Sequence, residues 1–511
     1  MGTRTNGAEL NIANGIREFA VATPSATAVI DGERSLTYAS LNERSSRLAQ
    51  AMLAAGLRTG DRVAIMLGNR LEYCEIACGL AKAGLVSVPI NPRLTAPEVA
   101  YIVEHSGCRA VIVDDALRGV AEPGLARARI ANVVAIGDDY EDVLARARSA
   151  DPEVEVAETE PFTICYTAGT TGKPKGVVIS HRSRAITFYL TALEWGLGPG
   201  RMTLAVAPMY HGAGFAFAYA ACVTGGTVAM MPAFDPELLL AMIEQHRPSS
   251  VFLVPAHIQM LRALGEEAVR RADTSSLTTI YVNAAPLPQQ AKVWTIENFP
   301  SAGLHELYGS TEASIVTNLR PPDQLRKERC VGPPWFMTQV RVLDTDGNPV
   351  EPGDPGELWS RSPMVFRGYL DDPEATGQST SSDGFVSAGD IAIVDGENYV
   401  YIVDRLRDMI ISGGVNVYPR EVEEVLHKHP RVSDVAVVGT PDETWGERVV
   451  AIVVARGPAP PAAEELIQFS RRELAGYKVP REVRYVAALP RNAAGKILKR
   501  DLRDQLARDP A

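Results

Sequence analysis

Apolar and polar positions alternate in blocks along the first third of the chain. Leu41–Ala55 repeats its apolar residues at helical spacing and stops at Gly56. Val63–Leu67 is an unbroken apolar run of strand length. Glu72–Ala83 is again helical and stops at Gly84, Leu85–Ile90 reads as a strand, Ala96–His105 as a helix and Ala110–Val113 as a strand. Short apolar runs between amphipathic helices predict mostly parallel sheets covered on both faces. The same unit recurs at Ser250–Val254 and at Thr279–Asn283, which runs into the Pro286-Leu287-Pro288 turn. From about 335 to 405 the pattern becomes short strands (Gln339–Leu343, Gly356–Arg361, Ile391–Val394, Tyr399–Val403) with Asp-Gly turns at 346–347 and 395–396, a β-rich texture. Beyond the charged junction at 404–408 the spacing predicts a small α+β module. Its helices are Pro419–His427 and Ala462–Leu474, its strands Val435–Val438 and Val449–Val454, with a Pro-rich linker at 457–461. The chain shows no tandem repeat.

The long uncharged stretch from Met202 to Phe234 reaches membrane-spanning length. Pro208, Gly212, Gly214, Gly225, Gly226 and Pro232 break it, so it reads as a buried helix near 213–224 and a strand near Thr227–Met231.

Composition narrows the class. A chain of 511 residues exceeds one ordinary core, and 46% hydrophobic with 22% charged residues is ordinary for a soluble enzyme. A net charge of −11 argues against a general nucleic-acid surface. The six scattered cysteines form no zinc pattern and read as buried thiols in a reducing cytoplasm, and no signal peptide is recognised at the N-terminus. Lysine is scarce, nine against 42 arginines, and five of the nine (Lys173, Lys175, Lys478, Lys496, Lys499) fall in three loop-like segments. A compact ammonium on a flexible stem suits contact with a reacting oxygen.

One such segment, Thr163–Ser180, places Gly169, Gly172 and Gly176 among Thr167, Thr170, Thr171, Lys173 and Lys175, between two strand-like runs. Glycines let several backbone N–H groups converge on one anion while hydroxyls and ammonium groups add donors and charge. The segment reads as a phosphate-binding β-hairpin loop. It is not a P-loop: only two residues separate Gly169 from Gly172-Lys173, and Pro174 stands where the magnesium-binding hydroxyl belongs.

Four further segments carry chemistry. Tyr308-Gly309-Ser310-Thr311-Glu312 joins an aromatic face, a turn, two hydroxyls and a carboxylate. Ser387-Ala388-Gly389-Asp390 reads as a tight turn presenting a carboxylate. Arg405 is a cation near the charged junction, and Asn492-Ala493-Ala494-Gly495-Lys496 offers a lysine near the end of the chain. Singly each is weak. In this order, with Gly356–Trp359 and the run 404–423, they resemble the acyl-adenylate-forming superfamily, in its acyl-CoA synthetase (fatty or aryl acid–CoA ligase) branch, from about residue 15 to 506.

The resemblance implies an α/β fold class. A large N-terminal domain (1–406) would hold parallel α/β sheets plus the β-rich subdomain at about 335–405, and a small mobile α+β lid (407–511) would hinge at Arg407. It implies ATP, Mg2+ and CoA, with a carboxylic acid activated as acyl-AMP, pyrophosphate released and the acyl group passed to a thiol. On the same footing, Thr167, Ala168, Gly169, Thr170, Thr171, Gly172 and Lys175 would hold the β- and γ-phosphates. Thr311 would contact the α-phosphate. Glu312, with Thr170, would hold magnesium. Tyr308 with Ala284, Ala285 and Pro286 would sandwich adenine, joined by Glu306, Gly309 and Ser310. Asp390 and Arg405 would bind ribose, and Lys496 would bridge the attacking carboxylate and the α-phosphate. Gly413 and Gly414 would leave room for the pantetheine arm, Trp445 and Tyr477 would flank the CoA adenine, and Lys478 and Arg481 would meet its phosphates. His211 would gate an acyl pocket lined by Tyr210, Gly212, Phe215 and Val282.

Ala168 stands where the family usually has serine, Val415 where glutamate is common, and Arg407 where Asp or Lys is more frequent. The many small residues near the gate predict room for a medium or large hydrophobic acid. The absence of any acidic residue between Arg201 and Asp235 argues against an amino acid. A ligase loading an acyl-carrier protein, an aryl-acid-specific ligase and a luciferase-like oxygenase share the adenylation motifs. A non-catalytic binding module would lack Lys496 or Glu312. The expected assembly is a monomer or homodimer, without nucleic acid and without a transmembrane segment.

Overall fold

The structure, a computed structural model, describes residues 9–127, 130, 132–167, 174–412, 415–442, 444–457, 459–491 and 497–508. The chain divides into two compact units, Met1–Gln339 with Ser360–Val386, and Val340–Trp359 with Ser387–Ala511.

The first unit holds two large sheets. One runs in the order Ser314–Leu319, Gly303–Ser310, Thr279–Val282, Ser250–Leu253, Met202–Ala205, Thr227–Met230, Thr27–Asp31, Arg34–Thr37. Its six middle strands are parallel and its two edge strands antiparallel. The other runs Gly368–Tyr369, Lys175–Ser180, Pro161–Thr167, Val86–Pro89, Arg62–Met66, Ala110–Asp114, Asn132–Ile136. Five of its strands are parallel, and Lys175–Ser180 and Gly368–Tyr369 close its edge in antiparallel pairing. The apolar runs legible in the sequence are these parallel strands, buried on both faces and therefore lacking polar alternation.

The largest core cluster draws on both sheets (Val29, Val63, Ile65) and on the helices Tyr38–Ala54, Leu71–Lys82 and Gly212–Val223. The last is apolar on every side because every side is packed, with Phe217 and Tyr219 at 2% and 0% exposure. Among the described residues no helix is long and apolar enough to cross a membrane. All six cysteines are buried free thiols, as expected.

In the second unit, Gln339–Leu343, Gly356–Arg361, Val386–Val394 and Val400–Arg405 form a four-stranded sheet. A five-stranded sheet is centred on the long antiparallel pair Val432–Asp442 and Gly446–Ala455, with Pro419–His427 and Ala463–Glu473 packed in its core cluster. One local expectation is corrected here. Ser387–Asp390 is not a tight turn but lies inside the nine-residue strand Val386–Val394. Gly389 takes φ +72° within it, a conformation open to glycine, and the strand continues through it.

Candidate active site

The glycine- and lysine-rich segment closes a true hairpin: Pro161–Thr167 pairs with Lys175–Ser180 as far as Thr167 opposite Lys175. Ala168, Gly169, Thr170, Thr171 and Gly172 lie outside the described residues, as do Gly413, Gly414 and Lys496 and the side chain of Arg407. The downstream end of the loop is tied by Tyr101, whose hydroxyl donates to the Pro174 carbonyl at 3.1 Å. The Lys175 ammonium lies 4.9 Å above the Tyr369 ring and 3.9 Å from the Asp372 carboxylate.

Tyr369 also reaches the second motif. Its hydroxyl donates to Glu312 Oε1 at 2.9 Å, and the Phe366 N–H donates to the Glu312 carbonyl at 2.7 Å. Burial, with the Glu312 carboxylate beside it, pushes the Tyr369 phenol up, so it stays protonated and donates. Glu312 sits at the tip of the hairpin formed by Gly303–Ser310 and Ser314–Leu319. Gly309 is required there, because a Cβ would stand 2.0 Å from the Ser314 carbonyl oxygen. The Ser310 hydroxyl accepts from the Ala313 N–H at 3.0 Å and so stabilises the turn that aims Thr311 and Glu312.

Lower on the same strand, Glu306 is 4% exposed. Its carboxylate lies 2.5 Å from the buried Lys292 ammonium and accepts from the Leu287 N–H at 3.1 Å. The carboxylate thereby fastens the exposed turn Ala284-Ala285-Pro286 to the sheet. Ala284 holds φ +78° in that turn, uncommon for a residue with a side chain and a form of local strain that clusters at binding sites.

His211 precedes the helix Gly212–Val223, and its carbonyl accepts the Phe215 N–H at 2.9 Å. Burial, helped by Arg93, lowers its pKa and keeps the ring neutral, with the Tyr210 ring 4.7 Å away. His211, Gly212 and Phe215 line a cavity of about 20 Å³, room for roughly one water, shared with Tyr73, Ser87, Phe162, Thr163, Cys165 and Arg184. Val282 is 0% exposed and belongs instead to a core cluster with Leu204, Leu253 and Ile280.

In the second unit Asp390 is 2% exposed, with Oδ1 2.5 Å from Arg405 Nε directly across the strand pair. Trp445 and Tyr477 are each 38% exposed. The Arg481 guanidinium lies 3.8 Å over the Trp445 ring, and Lys478 pairs with Glu421 at 2.7 Å. The structure thus joins Trp445 to Arg481, while Lys478 already has an acidic partner.

Sequence reading missed Tyr369 and Lys292. Lys292 is one of nine lysines in the chain, and that scarcity was a usable signal. Tyr369 offered none, since its partners lie far off in sequence.

Residues 16–370 match the family model for AMP-binding enzymes, and residues 421–496 match that for the AMP-binding enzyme C-terminal domain. A feruloyl-CoA synthase from an Amycolatopsis species is 38% identical over 482 residues, covering 94% of this chain and 96% of the relative. A long-chain-fatty-acid–CoA ligase from Mycobacterium tuberculosis is 36% identical over 510 residues, covering 97% and 98%. ATP-bound MatB from Rhodopseudomonas palustris superposes with a TM-score of 0.89 at 30% identity, covering 97% of this chain and 99% of that one. The chain belongs to the AMP-binding enzyme family, in the acyl-CoA synthetase branch of the adenylate-forming enzymes.

Proposed function

We propose that the protein is an ATP-dependent acid–CoA ligase acting on a hydrophobic carboxylic acid of medium or large size. A carboxylate oxygen attacks the α-phosphorus of ATP, the bond to the β-phosphate oxygen breaks and pyrophosphate leaves. The CoA sulfur then attacks the acyl carbon, and AMP departs with the electron pair of the anhydride bond. A carboxylate acylates poorly because its oxygen leaves poorly, and adenylation removes that obstacle. The observation that carries the reading is Tyr369. It touches both the Lys175 end of the phosphate-loop hairpin and Glu312, joining two motifs distant in sequence at one place.

In this reading the hairpin loop holds the leaving pyrophosphate, Thr311 the α-phosphate, and the Ala284–Pro286 turn with Tyr308 the adenine. Glu306 serves by fixing that turn. Asp390 and Arg405 take the ribose. Trp445 with Arg481, Tyr477 with Lys478, and Gly413-Gly414 are assigned to CoA, Lys496 to the first step, and Arg407 to the hinge between domains 1–406 and 407–511. Glu312 fits a magnesium ligand: a half-buried carboxylate met by a neutral phenol, of the hard-oxygen type that Mg2+ takes singly beside substrate phosphates. Among the described residues no group of three or more His, Cys, Asp or Glu side chains could hold a metal by itself, which suits an ion shared with the nucleotide. Thr170 is assigned beside Glu312. When bound, the ion offsets charge on the phosphate oxygens.

Pyrophosphate release across a panel of carboxylic acids, with and without CoA, tests the function. Acid-dependent release with CoA-dependent acyl transfer is expected. Transfer only to a phosphopantetheinyl carrier protein would instead support carrier loading. Lys496→Ala should abolish acyl-AMP formation and spare thiolation of supplied acyl-AMP, and equal loss of both steps would refute its assignment.

A further inference from the structure

Arg184 stands four residues into the helix His181–Trp195, near the N-terminal end, where the backbone dipole favours anions over cations. It is 7% exposed, and its Nε is buried without a hydrogen-bond partner. Among the described residues no hydrogen bond or ion pair reaches the guanidinium, and the cavity it lines contains no carboxylate. The other titratable groups on that cavity are held neutral by burial: the Tyr73 phenol and Cys165 thiol are pushed up, and the His211 imidazole is pushed down. Desolvation lowers the pKa of Arg184 too, yet a guanidinium cannot shed its proton in a protein. A buried cation whose donors meet no acceptor among the described residues is strongly unfavourable unless something fills that role. Among the described residues the other buried cations face acceptors: Lys82 donates to the Asn42 carbonyl and side chain and to Ser46, and the Lys292 ammonium is ion-paired with Glu306 at 2.5 Å.

The location says what that partner is. The cavity runs from the gate residues His211, Gly212 and Phe215 to Arg184, and a Cβ on Gly212 would lie 3.9 Å from an Arg184 terminal nitrogen. Its walls are otherwise largely apolar (Ile65, Ala77, Phe162, Phe215, Met209), and its room of about 20 Å³ suits one oxygen-sized group. Resting on the ligase reading above, we propose that Arg184 is a specificity-determining residue. It receives a second oxygen acceptor, a carboxylate, keto or phenol oxygen, carried by the hydrophobic body of the acid. The substrate class is thereby an oxygen-functionalised hydrophobic acid rather than a plain alkanoic one.

The test is acid-dependent pyrophosphate release with pairs of acids matched in length and shape, one member bearing the acceptor oxygen and the other a methyl group at the same place. The enzymes are the wild type, Arg184→Met and Arg184→Lys. The wild type should favour the oxygen-bearing member of at least one pair by ~10-fold or more in kcat/KM, the scale of a hydrogen bond to a charged group. In Arg184→Met the ratio should collapse or invert, because the methyl-bearing member no longer meets an unpaired charge. Arg184→Lys should keep part of the preference, since it retains the charge and loses the planar fork. If Arg184→Met does not fold, the wild-type panel and Arg184→Lys decide. No preference in any pair, or the same ratio in the variants, overturns the inference while leaving the ligase reading intact. Chloride-dependent turnover with no oxygen preference assigns the guanidinium to an inorganic anion and also overturns it. No release with any acid overturns the ligase reading, and this inference with it.

Discussion

Glu306 and Glu312 lie six residues apart on one hairpin, and their surroundings give them opposite work. Glu306, in the body of the sheet, is sealed at 4% exposure, with the Lys292 ammonium 2.5 Å away and the Leu287 N–H on its other oxygen. Glu312, at the tip, is half-buried and meets a neutral phenol, which orients a carboxylate without neutralising it. A fixed, desolvated cation commits a carboxylate to the framework; a neutral donor leaves its charge for a ligand that comes and goes. The framework member holds the turn at 284–287 to the sheet, and in the proposed reading serves the site only through that turn.

The largest effect should come from splitting the sealed pair. Lys292→Met or Glu306→Gln leaves an uncompensated buried group and should destabilise the first unit by about 3–5 kcal/mol. The double variant, which removes both charges, should recover most of that loss. Urea unfolding followed by tryptophan fluorescence reads both, since Trp294, on the same helix as Lys292, is buried in a core cluster of the first unit. Single variants as stable as the wild type would break the contrast between the two carboxylates.

Next in size is the open member. Glu312→Gln keeps the shape and the acceptor for Tyr369 while removing the charge. Its unfolding free energy should stay within about 0.5 kcal/mol of the wild type, as for other substitutions away from packed cores. Its acid-dependent pyrophosphate exchange should fall ~10²–10³-fold, the scale of losing one electrostatic contact to a transition state. A variant that loses stability instead of exchange would place Glu312 with Glu306 in the framework.

The difference between these two residues shows where sequence reading stops. The parallel strands were legible because burial on both faces leaves an apolar run, as at Arg62–Met66 and Ala110–Asp114, and the helices between them end at glycines 56 and 84. The Tyr308–Glu312 motif was legible from its order of residue types. What could not be read was who faces whom. Glu306 and Glu312 look alike until Lys292 is placed beside one and Tyr369 beside the other, and those contacts depend on how distant strands and helices meet. Ser387–Asp390 read as a turn because Gly-Asp favours one locally. Its nine-residue strand is set by pairing of Asp390 with Arg405 across the sheet, which overrides local preference. The resemblance placed Val282 on the pocket wall with other small apolar residues, but side chains alternate along a strand, and at that register it packs in the core with Ile280 and Leu253.

The smallest expected effect tests the neutral donor itself. Tyr369→Phe deletes one hydroxyl and keeps the ring, so the edge contact with Phe366 at 5.1 Å and the position under the Lys175 ammonium at 4.9 Å should survive. A hydrogen bond at this half-buried position is worth about 1 kcal/mol, which corresponds to ~5-fold. That loss should appear as a raised magnesium requirement and KM for ATP in pyrophosphate exchange, with kcat at saturating metal nearly unchanged, because the hydroxyl aims the carboxylate but does not touch the reacting atoms. A loss as deep as that of Glu312→Gln would mean that the phenol shares the work of the carboxylate. No change in the metal requirement would mean that the turn at 310–313 aims Glu312 unaided, leaving its lesser burial and the lack of a paired cation among the described residues to separate it from Glu306.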